Sequence, residues 1–260
     1  SRNISQNVNV LDGASLSVSS AGYLGGVVTN DGTLTLGSGI MKFGVIGSGT
    51  TYINNSVESL AKIDNDTIIN QSGRLDISAD NLSDSVTNNG KLYLNSGTLS
   101  TGIAGTGSTH ITGTVNNGTK WTGQTLKIEE NGHFITSADN IGNNLLNYGT
   151  LTLSDGTLDY AIGCDGITVV AGSVLAETNK VISNNLQITE GSILTAKAGI
   201  LYADTIENQG TLRLTSGQLS SVVSGAGTTE ISGNVSATAK INQDITIGEE
   251  AGLYISASNI

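Results

Sequence analysis

A nine-residue pattern recurs four times along the chain at an almost constant spacing. Each copy has an Asn, a Gly two residues later, and then two Leu residues separated by one other residue; the copies are residues 28–36, 86–94, 145–153 and 206–214. The glycines of these copies are Gly32, Gly90, Gly149 and Gly210, which gives a period of about 60 residues. Such a regular period is typical of proteins in which one structural unit is stacked repeatedly on itself.

Two further patterns follow each copy in the same order. A glycine-rich pattern, with one residue more between the two glycines of its third copy, occupies residues 47–53, 105–111, 163–169 and 225–231. A pattern containing Ser-Ala closes the repeats at 77–82, 136–141 and 255–260, with weaker relatives at 194–200 and 16–24. We therefore predict a single domain over 1–260, made of a partial repeat and four full repeats, with boundaries at 1–24, 25–82, 83–141, 142–201 and 202–260.

The repeats have the alternation of β-strands. Leu34 and Leu36 alternate with Thr33 and Thr35, and the same period of two runs through the other three copies. This alternation predicts strands with one buried and one exposed face. The Asn-Gly, Asp-Gly and Ser-Gly pairs between the runs favour tight turns. A helical period is not sustained anywhere, so the sequence predicts an all-β chain.

Short strands and tight turns in blocks of about twenty residues, three to a repeat, predict the coils of a solenoid. One coil cannot bury its aliphatic face alone, so coils must stack, Leu upon Leu, and each strand gains a parallel partner on both sides. The chain has 35 Gly and no Pro, which fits because the amides of each coil must donate to the next coil. We predict a parallel β-helix of about 13 coils of about 20 residues. A β-sandwich is the main alternative.

Charge and cysteine content argue against several classes of function. Eleven Lys and Arg against 22 Asp and Glu give a net charge of -11, whereas nucleic acids and anionic lipids require a basic surface. We therefore predict no nucleic-acid partner. Cys164 is the only cysteine, so no internal disulfide can form. No apolar run is long enough for a membrane span and the first residues are unlike a signal peptide, so we expect a soluble segment of a longer protein.

The patterns Asn-x-Gly-x-Leu-x-Leu and Gly-x-Gly-Thr-Thr-x-Ile, in a Ser-, Thr-, Gly- and Asn-rich acidic chain, resemble the passenger domains of type V autotransporters, especially AIDA-like adhesins. The resemblance covers the whole chain, but it is one of composition and fold. It implies a right-handed, single-stranded parallel β-helix on a bacterial cell surface or secreted, exported through an outer-membrane β-barrel of the parent chain. It also implies O-linked heptose on some hydroxyls.

The same resemblance implies a function. Such passengers are rods that mediate adhesion to a host-cell glycan or protein, or self-association with a copy on another cell. This sequence shows no signal, barrel or cleavage junction, so the export route is an expectation from the resemblance.

The Asn and Gly residues of the first pattern are candidate structural positions. Asn two residues before Gly is typical of turns, so we predict that Asn30, Asn88, Asn147 and Asn208, with Gly32, Gly90, Gly149 and Gly210, form an inward or turn-capping ladder that holds the coils. An exposed row of Asn side chains that contacts glycans is the alternative.

Lysines recur at one position of every repeat. They are Lys62, Lys120, Lys180 and Lys240, and they follow the same period of about 60 residues. With three coils between them, they would form a row on one face, spaced about 14 Å apart. The row could bind an acidic partner, such as a sialylated glycan or the acidic surface of another copy. The alternative is that each lysine is a solvated corner residue.

Catalytic and metal sites have little support in the sequence. Acidic residues cluster at 129–130, 155–165 and 249–250, but no Arg is near them and the clusters do not recur. We predict no enzyme; the alternative is a carbohydrate-active β-helix, a lyase or hydrolase, which needs two carboxylates and a cation in one cleft. His110, His133 and Cys164 are too dispersed for zinc, and calcium-binding nonapeptides are missing, so we predict no metal or cofactor.

Overall fold

A computed structural model of the chain describes residues 4–21, 24–119, 121–122, 124–177, 182 and 184–259. The chain divides into two compact units, an N-terminal unit, Ser1–Lys127, and a C-terminal unit, Ile128–Ile260. The single domain over 1–260 stays a prediction.

The N-terminal unit is built from short strands joined by tight turns. Its strands are β1 (Val8–Val10), β2 (Ser15–Ser20), β3 (Val28–Asn30), β4 (Thr33–Met41), β5 (Val45–Ile53), β6 (Ser56–Ser59), β7 (Ile63–Ile69), β8 (Arg74–Ile77), β9 (Val86–Asn88), β10 (Lys91–Leu99), β11 (Ile103–Ala104), β12 (Ser108–Asn117), β13 (Trp121–Thr122) and β14 (Thr125–Ile128), whose last residue already belongs to the C-terminal unit. A 3-10 turn, Ala79–Asn81, lies at the first Ser-Ala pattern.

The C-terminal unit has the same construction. Its strands are β15 (His133–Thr136), β16 (Ile141–Gly142), β17 (Leu145–Asn147), β18 (Thr150–Leu153), β19 (Gly156–Thr157), β20 (Ile162–Gly163), β21 (Ile167–Val170), β22 (Ser173–Ala176), β23 (Asn185–Ile188), β24 (Ile193–Ala196), β25 (Thr205–Asn208), β26 (Thr211–Leu214), β27 (Gly217–Leu219), β28 (Val222–Ile231), β29 (Asn234–Ala237), β30 (Ile241–Ile247) and β31 (Gly252–Ile255). Its 3-10 turns are Ala138–Asn140, Ala198–Ile200 and Ala257–Asn259.

Neighbouring strands run parallel in both units wherever their register is defined. In the N-terminal unit Val8 faces Val28, and Val28 faces Val45. In the C-terminal unit Leu151 faces Thr168, and Thr168 faces Leu186. The strands of each unit therefore wind into stacked parallel turns of a β-solenoid, about 13 turns counted over the two units, and the predicted all-β, parallel β-helix is confirmed. A β-sandwich would pair its strands antiparallel and is excluded.

The core lies inside the coils and is mainly aliphatic. Leu34, Leu36, Leu92 and Leu94 are fully buried, while the residues between them point outward. Fully burying one such Leu contributes about 1.5–3 kcal/mol to the free energy of folding. The alternation seen in the sequence therefore fixes which face of each strand the coil encloses.

The register in the N-terminal unit shows that a repeat is longer than three coils. Leu34 faces Thr51, Thr51 faces Thr67, and Thr67 faces Val86. Three steps therefore end at Val86, before the chain reaches Leu92, the repeat equivalent of Leu34. The expectation of three whole coils in each repeat is wrong, and residues one repeat apart lie in different columns, where a column is a set of residues that face each other in successive coils.

The C-terminal unit has the same offset. Three steps lead from Leu151 through Thr168 and Leu186 to Ile206, before the chain reaches Leu212. The steps also differ in length, since the step from Thr51 to Thr67 uses fewer residues than the step from Leu186 to Ile206.

The short coils have a local cause. Strand β5 pairs with β3 at Val45 and with β4 from Thr50 to Ile53, so it passes from one face of the coil to the next without a loop. Gly47 permits this bend, because its φ of 112° lies in the left-handed region that glycine occupies readily. A corner made inside a strand uses fewer residues than the separate turn that the sequence pattern had indicated.

Candidate functional site

The four predicted Asn side chains lie inside the coil. Asn30, Asn88, Asn147 and Asn208 are all 0% exposed. Each Nδ2 donates to a backbone carbonyl of the next coil, at 2.9–3.1 Å. The Asn side chains are therefore interior in the structure, and their amides tie one coil to the next; we call each of these positions an Asn corner. The offset between repeats places Asn30 and Asn88 in different columns, so they do not stack on each other as a ladder.

The glycine after each Asn allows the coils to approach closely. The N–H groups of Gly90, Gly149 and Gly210 donate to Oδ1 of the Asn two residues before, at 3.0–3.1 Å. A Cβ at Gly90 would lie 2.3 Å from the carbonyl oxygens of both Asn70 and Gly73. A side chain at this position would therefore collide with the backbone of the preceding coil.

A second amide side chain stands beside each Asn corner, buried at Asn65, Gln124 and Asn184 and half-buried at Gln243, and no pattern described above predicts it. The amides are Asn65, Gln124, Asn184 and Gln243, which bond to the hydroxyls of Thr51, Thr109, Thr168 and Thr229. They recur with the same period of about 60 residues as the other patterns. That period was the available signal, but Asn and Gln alternate along it, which hides the pattern when identical residues are sought.

The two corners of the N-terminal unit differ in how completely they are bonded. Gln124 accepts from Asn88 Nδ2 and from Thr109 Oγ1, both at 3.1 Å, and its Nε2 donates to the carbonyl of Ala104. At the other corner Asn65 Nδ2 and Asn30 Oδ1 are buried without a hydrogen-bond partner among the residues that the structure describes. The side chain of Asn65 is one methylene shorter than that of Gln124, and this difference in length accompanies the difference in hydrogen bonding.

Of the four lysines of the predicted row, Lys120 and Lys180 lie outside the described residues. Lys62 is half-exposed and pairs with Asp64 at 3.3 Å. A hydrogen bond from Ser83, then the contact with Lys62, holds the pKa of Asp64 below its usual value. Lys62 and Lys240 belong to different units, so the row stays a prediction. The offset between repeats within each unit counts against a straight row.

A group of outward side chains lies on strands β6, β8, β10 and β12 of the N-terminal unit. The alternation of these strands points Glu58, Arg74, Asp76, Tyr93 and His110 outward, and we call these five residues the outer ladder. Glu58 faces Asp76, Asp76 faces Tyr93, and Tyr93 faces His110. The parallel register therefore brings together residues from four strands that are spread between positions 58 and 110 of the sequence.

Planar groups stack along the outer ladder. Arg74 donates from Nε and Nη2 to the two carboxylate oxygens of Asp76, at 2.9 and 3.0 Å. Its Cζ lies 4.0 Å from the centre of the Tyr93 ring, within range of a cation–π interaction. The Tyr93 and His110 rings are 4.4 Å apart and 14° from parallel. The hydrogen bonds to Asp76 raise the pKa of Arg74 further, so the guanidinium stays charged.

A shallow depression of about 370 Å³ adjoins the outer ladder. It is lined by Gly39, Ile40, Ser56, Glu58, Arg74 and Asp76. Gly39 and Ser56 are small, and the other lining residues include three charged side chains. Two carboxylates and one guanidinium therefore border a single concave surface of the N-terminal unit.

Other candidates named from the sequence occupy ordinary positions. His133 is half-exposed, and its Nε2 lies 2.8 Å from Thr152 Oγ1. Asp155 accepts a hydrogen bond from the backbone of Ser173. Cys164 is a free, half-buried thiol. Within the described ranges, no three His, Cys, Asp or Glu side chains are grouped so that they could hold a metal ion.

None of the described helical segments has the length and apolar character needed to cross a membrane. Comparisons of the chain with protein-family models, with curated proteins and with solved structures found no match.

Proposed function

We propose that this chain is a non-catalytic passenger segment of a bacterial autotransporter, displayed on the cell surface or secreted, that mediates adhesion to host surfaces or self-association between cells. The resemblance of its repeat patterns to AIDA-like adhesins supports the family. The outer ladder is the observation that best supports a binding role.

The support rests on how repeated and unrepeated residues are distributed. The Asn and Gly residues that recur in every repeat, such as Asn88 and Gly90, lie within the coil and hold it together. The outer ladder does not recur: where Arg74 and Asp76 stand in one repeat, the next has His133 and Ile135. Tyr and Arg are also among the residues enriched at the hot spots of protein interfaces.

Bacteria that display the segment provide the test. We expect them to settle as clumps or to bind host cells, and we expect the double variant Arg74→Ala, Tyr93→Ala to reduce that binding while remaining folded. Arg213→Ala is the matched control, because Arg213 makes a similar outward ion pair with Glu230, at 2.7 Å, on the C-terminal unit. If the intact segment neither clumps cells nor binds them, the proposal is wrong.

The alternative function is a carbohydrate-active β-helix, either a lyase or a hydrolase. One observation favours it: Glu58 and Asp76 face each other on adjacent strands, and Arg74 lies beside them at the depression. Paired carboxylates are the groups that glycoside hydrolysis uses. Release of reducing sugar from polysaccharides, lost in Glu58→Gln, would establish this function, and no release from any tested polysaccharide would eliminate it.

A further inference from the structure

We propose that the depression beside the outer ladder binds one sugar residue of a neutral glycan. This inference rests on the proposed binding function and specifies its ligand. It goes beyond that function in naming the chemical class of the partner and the side chains that would contact it.

The shape of the depression follows from the residues at its edges. Gly39 has no side chain and Ser56 has a short one, while Glu58 and Arg74 extend from the neighbouring outward positions. Ser56 faces Arg74 on the adjacent strand. The resulting hollow is shallow and open to solvent, which suits a single sugar ring at the end or along the side of a chain.

The polar groups around the hollow include both donors and acceptors that can hydrogen-bond to sugar hydroxyls. A guanidinium has five N–H donors, and Asp76 takes two of those on Arg74. Three remain that can donate to a ligand. The carboxylates of Glu58 and Asp76 are acceptors, and a hydroxyl can donate to one group while it accepts from another. Vicinal hydroxyls can therefore bridge Arg74 and a carboxylate.

Charge selects against acidic sugars. The hollow has two carboxylates and one guanidinium, and that guanidinium is already paired with Asp76. The chain as a whole carries a net charge of -11. A sialic acid or uronic acid would place a further carboxylate beside Glu58, which like-charge repulsion disfavours. A neutral hexose avoids that repulsion.

Apolar contact comes from Ile40, and Tyr93 has a supporting role. Ile40 lines the hollow and is 43% exposed, so it can cover the C–H groups of a sugar ring. Tyr93 contacts Arg74 from the preceding coil and His110 from the following coil. Because these groups stack on its ring, Tyr93 positions the guanidinium of Arg74 and is not itself the stacking platform.

The test uses the purified chain and a panel of neutral oligosaccharides beside sialylated and uronic acid-containing ones, with binding followed by ligand-observed NMR. We expect binding of a neutral member, weakened about tenfold or more by Arg74→Ala, since hydrogen bonds to a charged group are lost. Glu58→Gln, which keeps shape and removes one negative charge, should increase the binding of acidic sugars relative to neutral ones. Arg213→Ala should leave all binding unchanged.

Two results would overturn the inference: binding of no neutral saccharide, or equal binding by the wild type and by a folded Arg74→Ala variant. Circular dichroism establishes whether each variant is folded. Cell clumping distinguishes the proposed sugar site from the proposed adhesive function. Clumping that persists without saccharide binding contradicts the sugar site and leaves the adhesive function in place, whereas saccharide binding without any cell binding contradicts the adhesive function alone.

Discussion

The Asn corner at Asn88 and the outer ladder at Tyr93 are only a few residues apart on strands β9 and β10, yet they follow different rules. The Asn corner is fully buried, hydrogen-bonded across coils, and present in all four repeats. The residues of the outer ladder are exposed or half-exposed, and different residues take their positions in the remaining repeats. The difference indicates that the repeat is maintained by the geometry of the interior, which leaves the outward positions free to specialise.

The largest loss of stability is expected from a substitution at the glycine of the Asn corner. Gly90→Ala places a Cβ 2.3 Å from two carbonyl oxygens of the preceding coil. Because backbone on that side must move, we expect the free energy of unfolding to fall by about 3 kcal/mol. Unfolding in urea measures this fall in the free energy of unfolding. Gly102→Ala is the matched control, because a Cβ there meets nothing within 4 Å; equal losses in the two variants would contradict the role of close approach.

A smaller loss is expected when the amide beside the Asn corner is shortened. Gln124→Asn should lose the bond to the carbonyl of Ala104 and leave buried groups unpaired, lowering the free energy of unfolding by about 2 kcal/mol. Thermal unfolding monitored by circular dichroism measures the change.

The reciprocal variant Asn65→Gln sharpens the comparison between the two corners. Its longer side chain can bring an amide to Oδ1 of Asn30, which has no partner among the described residues, so we expect a higher unfolding temperature. If Gln124→Asn and Asn65→Gln change stability in the same direction, side-chain length does not explain why the two corners differ in hydrogen bonding.

The outer ladder should contribute less to stability than the Asn corner does. Tyr93→Ala removes the ring between Arg74 and His110, and we expect a loss of about 1 kcal/mol. Tyr52→Ala is the control: Tyr52 is also an outward, half-buried residue, and in the described part of the chain no ring stacks on it. A loss at Tyr93 as large as that at Gly90 would mean that the ladder is structural.

The smallest effect on stability is expected from the surface contact between Ser83 and Asp64, which lies outside both the Asn corner and the outer ladder. Ser83 and Lys62 hold the pKa of Asp64 below its ordinary value of 3.8. A lowered folded-state pKa stabilises the fold above the unfolded-state pKa, and that contribution is lost as the pH falls through the folded-state value. The stability difference between the wild type and Ser83→Ala should therefore be present at neutral pH and vanish in acid. A difference independent of pH would contradict this cause.

The interior of the fold could be predicted from the sequence and the exterior could not. The alternation around Leu34 and Leu92 specifies the buried face, and the spacing of Asn88 and Gly90 indicates a tight corner. Coil length is not encoded in either pattern, because it depends on whether a strand such as β5 turns the corner without a loop. The step from Tyr93 to His110 is shorter than a coil of about 20 residues, so the expected coil length would not have paired them. The outer ladder could be recognised only after the register was known.

The register between β10 and β12 is therefore the point on which the account depends, and disulfide trapping tests it directly. In a Cys164→Ser background, the pair Tyr93→Cys, His110→Cys should oxidise readily to an intramolecular disulfide, because these residues face each other on adjacent strands. The pair Tyr93→Cys, Thr112→Cys corresponds to a longer coil and should stay reduced, because a shift of two residues along the strand places the Cα atoms more than about 7 Å apart. Ready oxidation of the second pair and not of the first would contradict the short coil between β10 and β12, and with it the outer ladder.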